Sequence, residues 1–156
     1  MGRVLLLYAS MTGNTEEITS IIEKCLVDKA MTVTRKGFDA DDIRAEELLE
    51  YDGIMFGTYT YDDGDLPWEV EDFYEELLDV DLDGKIVSVF GSGDSFYPEF
   101  GKAVDSMAER FTEIGAVLVG ERVKVELDPD AEDTKRCEEL AAVFCDALNK
   151  GKRAVS

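Results

Sequence analysis

The chain contains no histidine. That removes the usual general base near neutral pH and the commonest metal ligand. Cysteine is scarce: Cys25, Cys137 and Cys145 form no C-x-x-C pair. Each belongs to a helical pattern, Cys25 and Cys137 on its apolar stripe, so core packing is expected ahead of a redox role, and unpaired thiols suit a reducing compartment. No stretch approaches the ~20 apolar residues of a membrane span. No signal-type apolar region with a cleavage site opens the chain, and Leu6 stands where a myristoylation signal needs a hydroxyl. A soluble, cytoplasmic protein is the expectation.

Bases are also in short supply. Sixteen Lys and Arg face 36 Asp and Glu, a formal net charge of −20. Nucleic acid and anionic membranes are disfavoured as partners by repulsion. A basic protein partner is favoured, because opposite fields steer encounter; solubility or salt tolerance is the bland alternative. The imbalance is local: no base occurs between Arg44 and Lys85, a stretch that holds Asp62, Asp63, Asp65, Glu69, Glu71, Asp72, Glu75, Glu76, Asp79, Asp81 and Asp83. A block of one sign on a folded domain reads as a docking surface.

The 156 residues, 45% of them hydrophobic, fit one domain with a proper core. The domain is expected over 1–150, with a tail fraying from Gly151 to Ser156. Apolar runs alternate with helical patterns. Residues 3–8, 31–37, 53–58, 85–91 and 116–119 read as strands, with Val123–Val125 extending or following the last. Helical stripes run through Ile18, Ile21, Ile22, Cys25 and Leu26; through Val70, Phe73, Tyr74, Leu77 and Leu78 behind Pro67; through Val104, Met107, Ala108 and Phe111; and through Leu140, Val143, Phe144, Ala147 and Leu148, where Asp128 before Pro129 is the expected cap. A short helix is expected near Ala45–Leu49. Tyr8, Phe56, Trp68 and Phe90 are expected to pack in the core, with Trp68, which follows the second loop, the candidate exception. The pattern implies a three-layer, doubly wound α/β domain on a five-stranded parallel sheet.

Ligands of such sheets bind beyond the carboxyl ends of the strands. Three loops fall there. The first, Ser10-Met11-Thr12-Gly13-Asn14-Thr15, offers three hydroxyls, an amide, a glycine and no charge. It opens a helix whose free amides attract an anion. Without the lysine of a nucleoside-triphosphate loop it suits a terminal phosphate that is never transferred; a plain helix cap is the alternative. The second and third loops carry aromatics among small polar residues, Tyr59-Thr60-Tyr61-Asp62-Asp63-Gly64 and Ser92-Gly93-Asp94-Ser95-Phe96-Tyr97-Pro98-Glu99-Phe100. Two such loops beside an anion nest suggest a slot for a flat ring.

On these motifs the sequence resembles the flavodoxins, specifically the short-chain bacterial kind. The matches are Ser10–Thr15, Gly57–Pro67 and Gly91–Tyr97, in that order. The resemblance implies strand order 2-1-3-4-5, no insertion in the fifth strand, and one FMN held without a covalent bond. By that resemblance Ser10, Met11, Thr12, Gly13, Asn14 and Thr15 hold the phosphate, and Thr58, Tyr59 and Thr60 line the ribityl chain. Tyr97 is the outer stacking residue, and Tyr61 lies against the inner flavin face, where many members have tryptophan. The backbone near Asp94 and Gly101 meets the pyrimidine edge, Asp62 stands at the peptide that turns over on reduction, and Asp63, Gly64, Ser92, Gly93, Glu99 and Phe100 complete the expected cofactor-binding set. Asp62 replaces a glycine common there, so Asp62→Gly is expected to raise the yield of one-electron-reduced flavin in a reductive titration.

The implied function is a low-potential one-electron carrier, a monomer shuttling between basic partners: a flavodoxin reductase and an acceptor enzyme. It is not expected to turn over a substrate of its own. The alternatives are an FMN-dependent quinone-type reductase and an FMN protein that activates a partner enzyme. A phospho-acceptor receiver domain is disfavoured, since Ala9-Ser10 and Gly57-Thr58 stand where it needs carboxylates.

Overall fold

The computed structural model describes residues 2–10, 13–60, 66–93, 101–126 and 129–155. Strand β1 (Arg3–Tyr8) leads into α1 (Asn14–Asp28), then β2 (Thr32–Gly37), a 3-10 turn (Ala45–Glu50) and β3 (Gly53–Tyr59). There follow α2 (Trp68–Glu76), β4 (Ile86–Gly93), α3 (Lys102–Glu113), β5 (Val117–Leu118), β6 (Val123–Glu126) and α4 (Ala131–Val155). The sheet is wholly parallel and runs β2-β1-β3-β4-β5, as the resemblance implied, with β6 also paired to β4.

The fifth position in the sheet is thus two pieces rather than one strand. Val117 and Leu118 pair with the start of β4, and Val123 to Glu126 with its end. Only residues 119–122 separate them, and Gly120 lies there with φ of 79°.

Alternating side chains send Leu5, Leu7, Ile54, Phe56, Val87 and Val89 to a core with α2 and α3. Val4, Leu6, Met55 and Phe90 go to the opposite core with α1 and α4. Because both faces are covered, the central strands read as unbroken apolar runs. Phe56 stacks on Phe73 at 5.8 Å, and Phe38 meets both rings edge-on.

Several expectations of burial need correction. Phe56 and Phe90 are fully buried, but Trp68 is 79% exposed at the start of α2. Leu78 is exposed because α2 tightens into a 3-10 turn over Leu77–Asp79, which changes the angular step and leaves Leu77 inside. Val143 is exposed, and the buried stripe of α4 runs instead through Cys137, Leu140, Ala141, Phe144, Cys145 and Leu148. Pro67 stands just ahead of α2, at its N-cap. The cap of α4 is Asp130, whose carboxylate accepts from the Asp133 amide at 2.8 Å, while the Asp133 carboxylate accepts from the Asp130 amide at 3.2 Å. Asp128 lies outside the described residues. α4 spans Ala131–Val155.

Candidate functional site

The carboxyl ends of β1, β3 and β4 lie side by side: Tyr8 pairs with Gly57, and Tyr59 with Ser92. The first and second loops therefore spring from neighbouring strands, and the third from the next strand over.

At the first loop, Gly13 caps α1 in the left-handed region at φ 92°. L side chains are strained there, and no atom lies within 4 Å of where a Cβ would stand, so backbone conformation rather than space calls for glycine. The Ser10 hydroxyl oxygen accepts from the Gly13 amide at 3.1 Å and from the Glu16 amide at 3.2 Å, which holds the Ser10 side chain over the start of α1. A first helical turn has amides with no acceptor inside the helix. Asn14 is half-buried beside them. Thr15 is 1% exposed, and its hydroxyl lies 2.6 Å from that of Ser92, itself 4% exposed at the end of β4. Two of the loops are thus joined by one buried hydroxyl pair.

The second loop begins at β3. Thr58 is fully buried, and its hydroxyl donates to the Tyr59 carbonyl at 2.9 Å. Tyr59 donates its phenol to Glu69 of α2 at 2.6 Å. The Thr60 hydroxyl oxygen accepts from the Ala103 amide at 3.2 Å, tying the second loop to the first turn of α3. Beyond the third loop, Gly101 caps α3 at φ 70°. Met11, Thr12, Tyr61, Asp62, Asp63, Gly64, Asp94, Tyr97, Glu99 and Phe100 lie outside the described residues. The described candidates, Ser10, Gly13, Asn14, Thr15, Thr58, Tyr59, Thr60, Ser92, Gly93 and Gly101, all belong to this one end of the sheet.

One group at this end was not anticipated. Lys124, on β6 opposite Gly91, lays its stem across Gly101, where a Cβ would come within 2.5 Å of its Cδ. Its ammonium donates to Asp105 of α3 at 2.7 Å, and Arg122 reaches the same carboxylate at 3.1 Å. Burial alone would raise the Asp105 carboxyl, but the two cations outweigh it and hold the group below its usual range. The signal in the sequence was the alternation Val123-Lys124-Val125, which turns the lysine away from the core.

Other chemistry finds little support. Burial pushes the Cys137 thiol up to about 12, with Asp133 adding to it, and raises Cys25 and Cys145 as well. Such thiols are poor nucleophiles. Among the described residues no group of three or more Cys, Asp or Glu is placed to hold a metal ion, and no helix is long and apolar enough to cross a membrane.

A family model described as flavodoxin matches residues 6–140. The chain belongs to the flavodoxin family. Its members are FMN-binding electron carriers. Probable flavodoxin 1 of Bacillus subtilis is 41% identical over 160 residues, covering 100% of both chains. The crystal structure of oxidised flavodoxin 2 from Bacillus cereus is 46% identical, with a TM-score of 0.88 over 92% of this chain and 98% of that one. A more distant flavodoxin from Fusobacterium nucleatum, a K13G mutant bound to flavin mononucleotide, is 20% identical with a TM-score of 0.78 over 94% and 96% of the two chains, a likeness of fold. The described residues fit such a nucleotide: a flavodoxin phosphate needs hydroxyls and amides, and Ser10 to Thr15 include no carboxylate to repel it.

Proposed function

We propose that this chain binds FMN non-covalently and carries electrons singly between basic redox proteins. The observation that carries the reading is the entry to α1, where the Ser10 hydroxyl accepts from the Gly13 amide and the Thr15 hydroxyl meets Ser92 at the end of β4, ahead of Glu16 and Glu17 in the first turn. FMN supplies reversible one-electron chemistry when bound. Ser10 to Thr15 would grip its phosphate through hydroxyls and helix-terminal amides. Thr58 would contribute main chain to the ribityl region with Tyr59 and Thr60. Tyr61 and Tyr97 would flank the ring, and Asp94 and Gly101 would meet its edge.

The surroundings set the potential. With a net charge of −20, adding a further negative charge to the bound ring costs Coulomb energy. That lowers the potential of the second, charge-adding reduction. Exposed Glu71, Asp72 and Glu75 on α2, with exposed Trp68 at its start, supply a docking face for a basic partner.

Titrating the apoprotein with FMN tests the site: flavin fluorescence should be quenched to a sharp one-to-one end point. Reduced holoprotein mixed with cytochrome c, a basic haem protein, tests the docking. The rate should fall steeply as salt rises, and a flat profile would refute the basic-partner reading. Mixed with NADPH and a quinone but no reductase, the holoprotein should show no turnover. Sustained turnover would favour a small-molecule reductase instead.

A further inference from the structure

The Thr15–Ser92 pair joins the phosphate loop to the strand that feeds the ring loop. The oxygens are 2.6 Å apart, and both side chains are almost wholly buried. A hydroxyl has one proton to give and two lone pairs. Two arrangements of the pair are possible, and they differ in what Thr15 has left. If Thr15 donates, its proton is spent on Ser92. If Ser92 donates, Thr15 keeps a proton for an anion at the mouth of α1, and accepting a bond strengthens the one it gives.

We infer that Ser92 is a positioning residue. It does not touch the cofactor, but orients the Thr15 hydroxyl so that its proton is offered to the phosphate. Three observations support this orientation. Thr15 lies in the first turn of α1, where helix amides already favour an anion. Its backbone is fixed from behind, because the Thr19 hydroxyl donates to the Thr15 carbonyl at 2.7 Å. Ser92 is held in register on both sides, opposite Tyr59 of β3 and Val125 of β6, so its hydroxyl is a fixed point rather than a mobile one. This replaces the direct role expected for Ser92 with one exerted through Thr15, the partner that stands in the first turn of α1.

The inference rests on the proposed phosphate grip of Ser10 to Thr15, and the test separates the two. Dissociation constants for FMN and for riboflavin, which lacks the phosphate, are measured on the apoprotein, with circular dichroism confirming the fold of each variant. Ser92→Ala should weaken FMN about fivefold, the worth of one ordinary hydrogen bond, and leave riboflavin within about twofold. Thr15→Val should weaken FMN at least as much, and Thr15→Val with Ser92→Ala no further than Thr15→Val alone. Ser92→Cys, close in volume and a weak donor, should fall between wild type and Ser92→Ala. Equal losses of FMN and riboflavin in Ser92→Ala would reduce Ser92 to a structural role and overturn the inference. So would an unchanged FMN constant, or additive losses in the double variant. Wild-type protein that binds FMN no better than riboflavin would overturn the phosphate grip itself, and this inference with it.

Discussion

Gly91 has no side chain because the strand beside it leaves no room. A Cβ there would stand 2.2 Å from the Thr58 carbonyl oxygen and 2.4 Å from Val104 Cγ2. The first of these is backbone and cannot swing aside. Gly91→Ala should therefore destabilise the protein by about 1–3 kcal/mol, as overpacking does, and urea denaturation measures it. Trp68→Ala is the counter-case: at 79% exposure the indole adds little to the core, and the same experiment should find a change within about 0.5 kcal/mol. The sequence alone set Trp68 apart only by its place after the second loop. Trp68 is apolar and opens a helix, so its composition argues for burial, and only its angular position on α2 places it outside. The uncharged hexapeptide stands out in the sequence, although hydroxyls and a glycine at a strand-to-helix turn also suit a plain helix cap. The inward hydroxyl of Thr15 was not, since its partner is 77 residues away.

Among the elements, strands were the easiest to read, because a strand buried on both faces is a short unbroken apolar run bounded by turns. Helix faces were less legible. The stripe of α4 toward α1 uses Cys137, Ala141 and Cys145, small residues that carry a weak periodic signal, so Val143 was favoured wrongly. The ends of elements can be tested directly. Asp130 is held below its usual range, chiefly by the Asp133 amide. A carboxyl depressed in the folded state stabilises above its unfolded pKa, and that stability is lost as pH falls through the folded value. Asp130→Ala should lower the thermal midpoint at neutral pH, whereas Asp130→Asn should keep the cap there and lose this part of the acid dependence. The same sign holds for Asp105, which ties α3 to Lys124 of β6. Its contribution is full at neutral pH and disappears once the pH drops below its depressed value. In Asp105→Asn the stability profile should be flatter on the acid side, as pH-resolved thermal melts would show.

At the scale of the molecule, 36 acids against 16 bases oppose compaction. Mutual repulsion of surface charge weakens when salt screens it. The urea midpoint should accordingly rise between low and moderate sodium chloride, while the association rate with a basic partner falls. Seeing both trends in one preparation would trace them to a single cause, and a midpoint indifferent to salt would remove self-repulsion as a limit on stability.

The divided fifth strand has a consequence for crowding. A sheet's rim is a template on which another chain can add a strand, and proteins guard it with short strands, breaks and charge. Here one rim is two residues and then four, interrupted at 119–122. The other rim, β2, carries Arg35 and Lys36, each committed to a glutamate at 2.9 Å. Neither border offers a long, flat, apolar row of free peptide groups, so strand addition at either rim has little to build on.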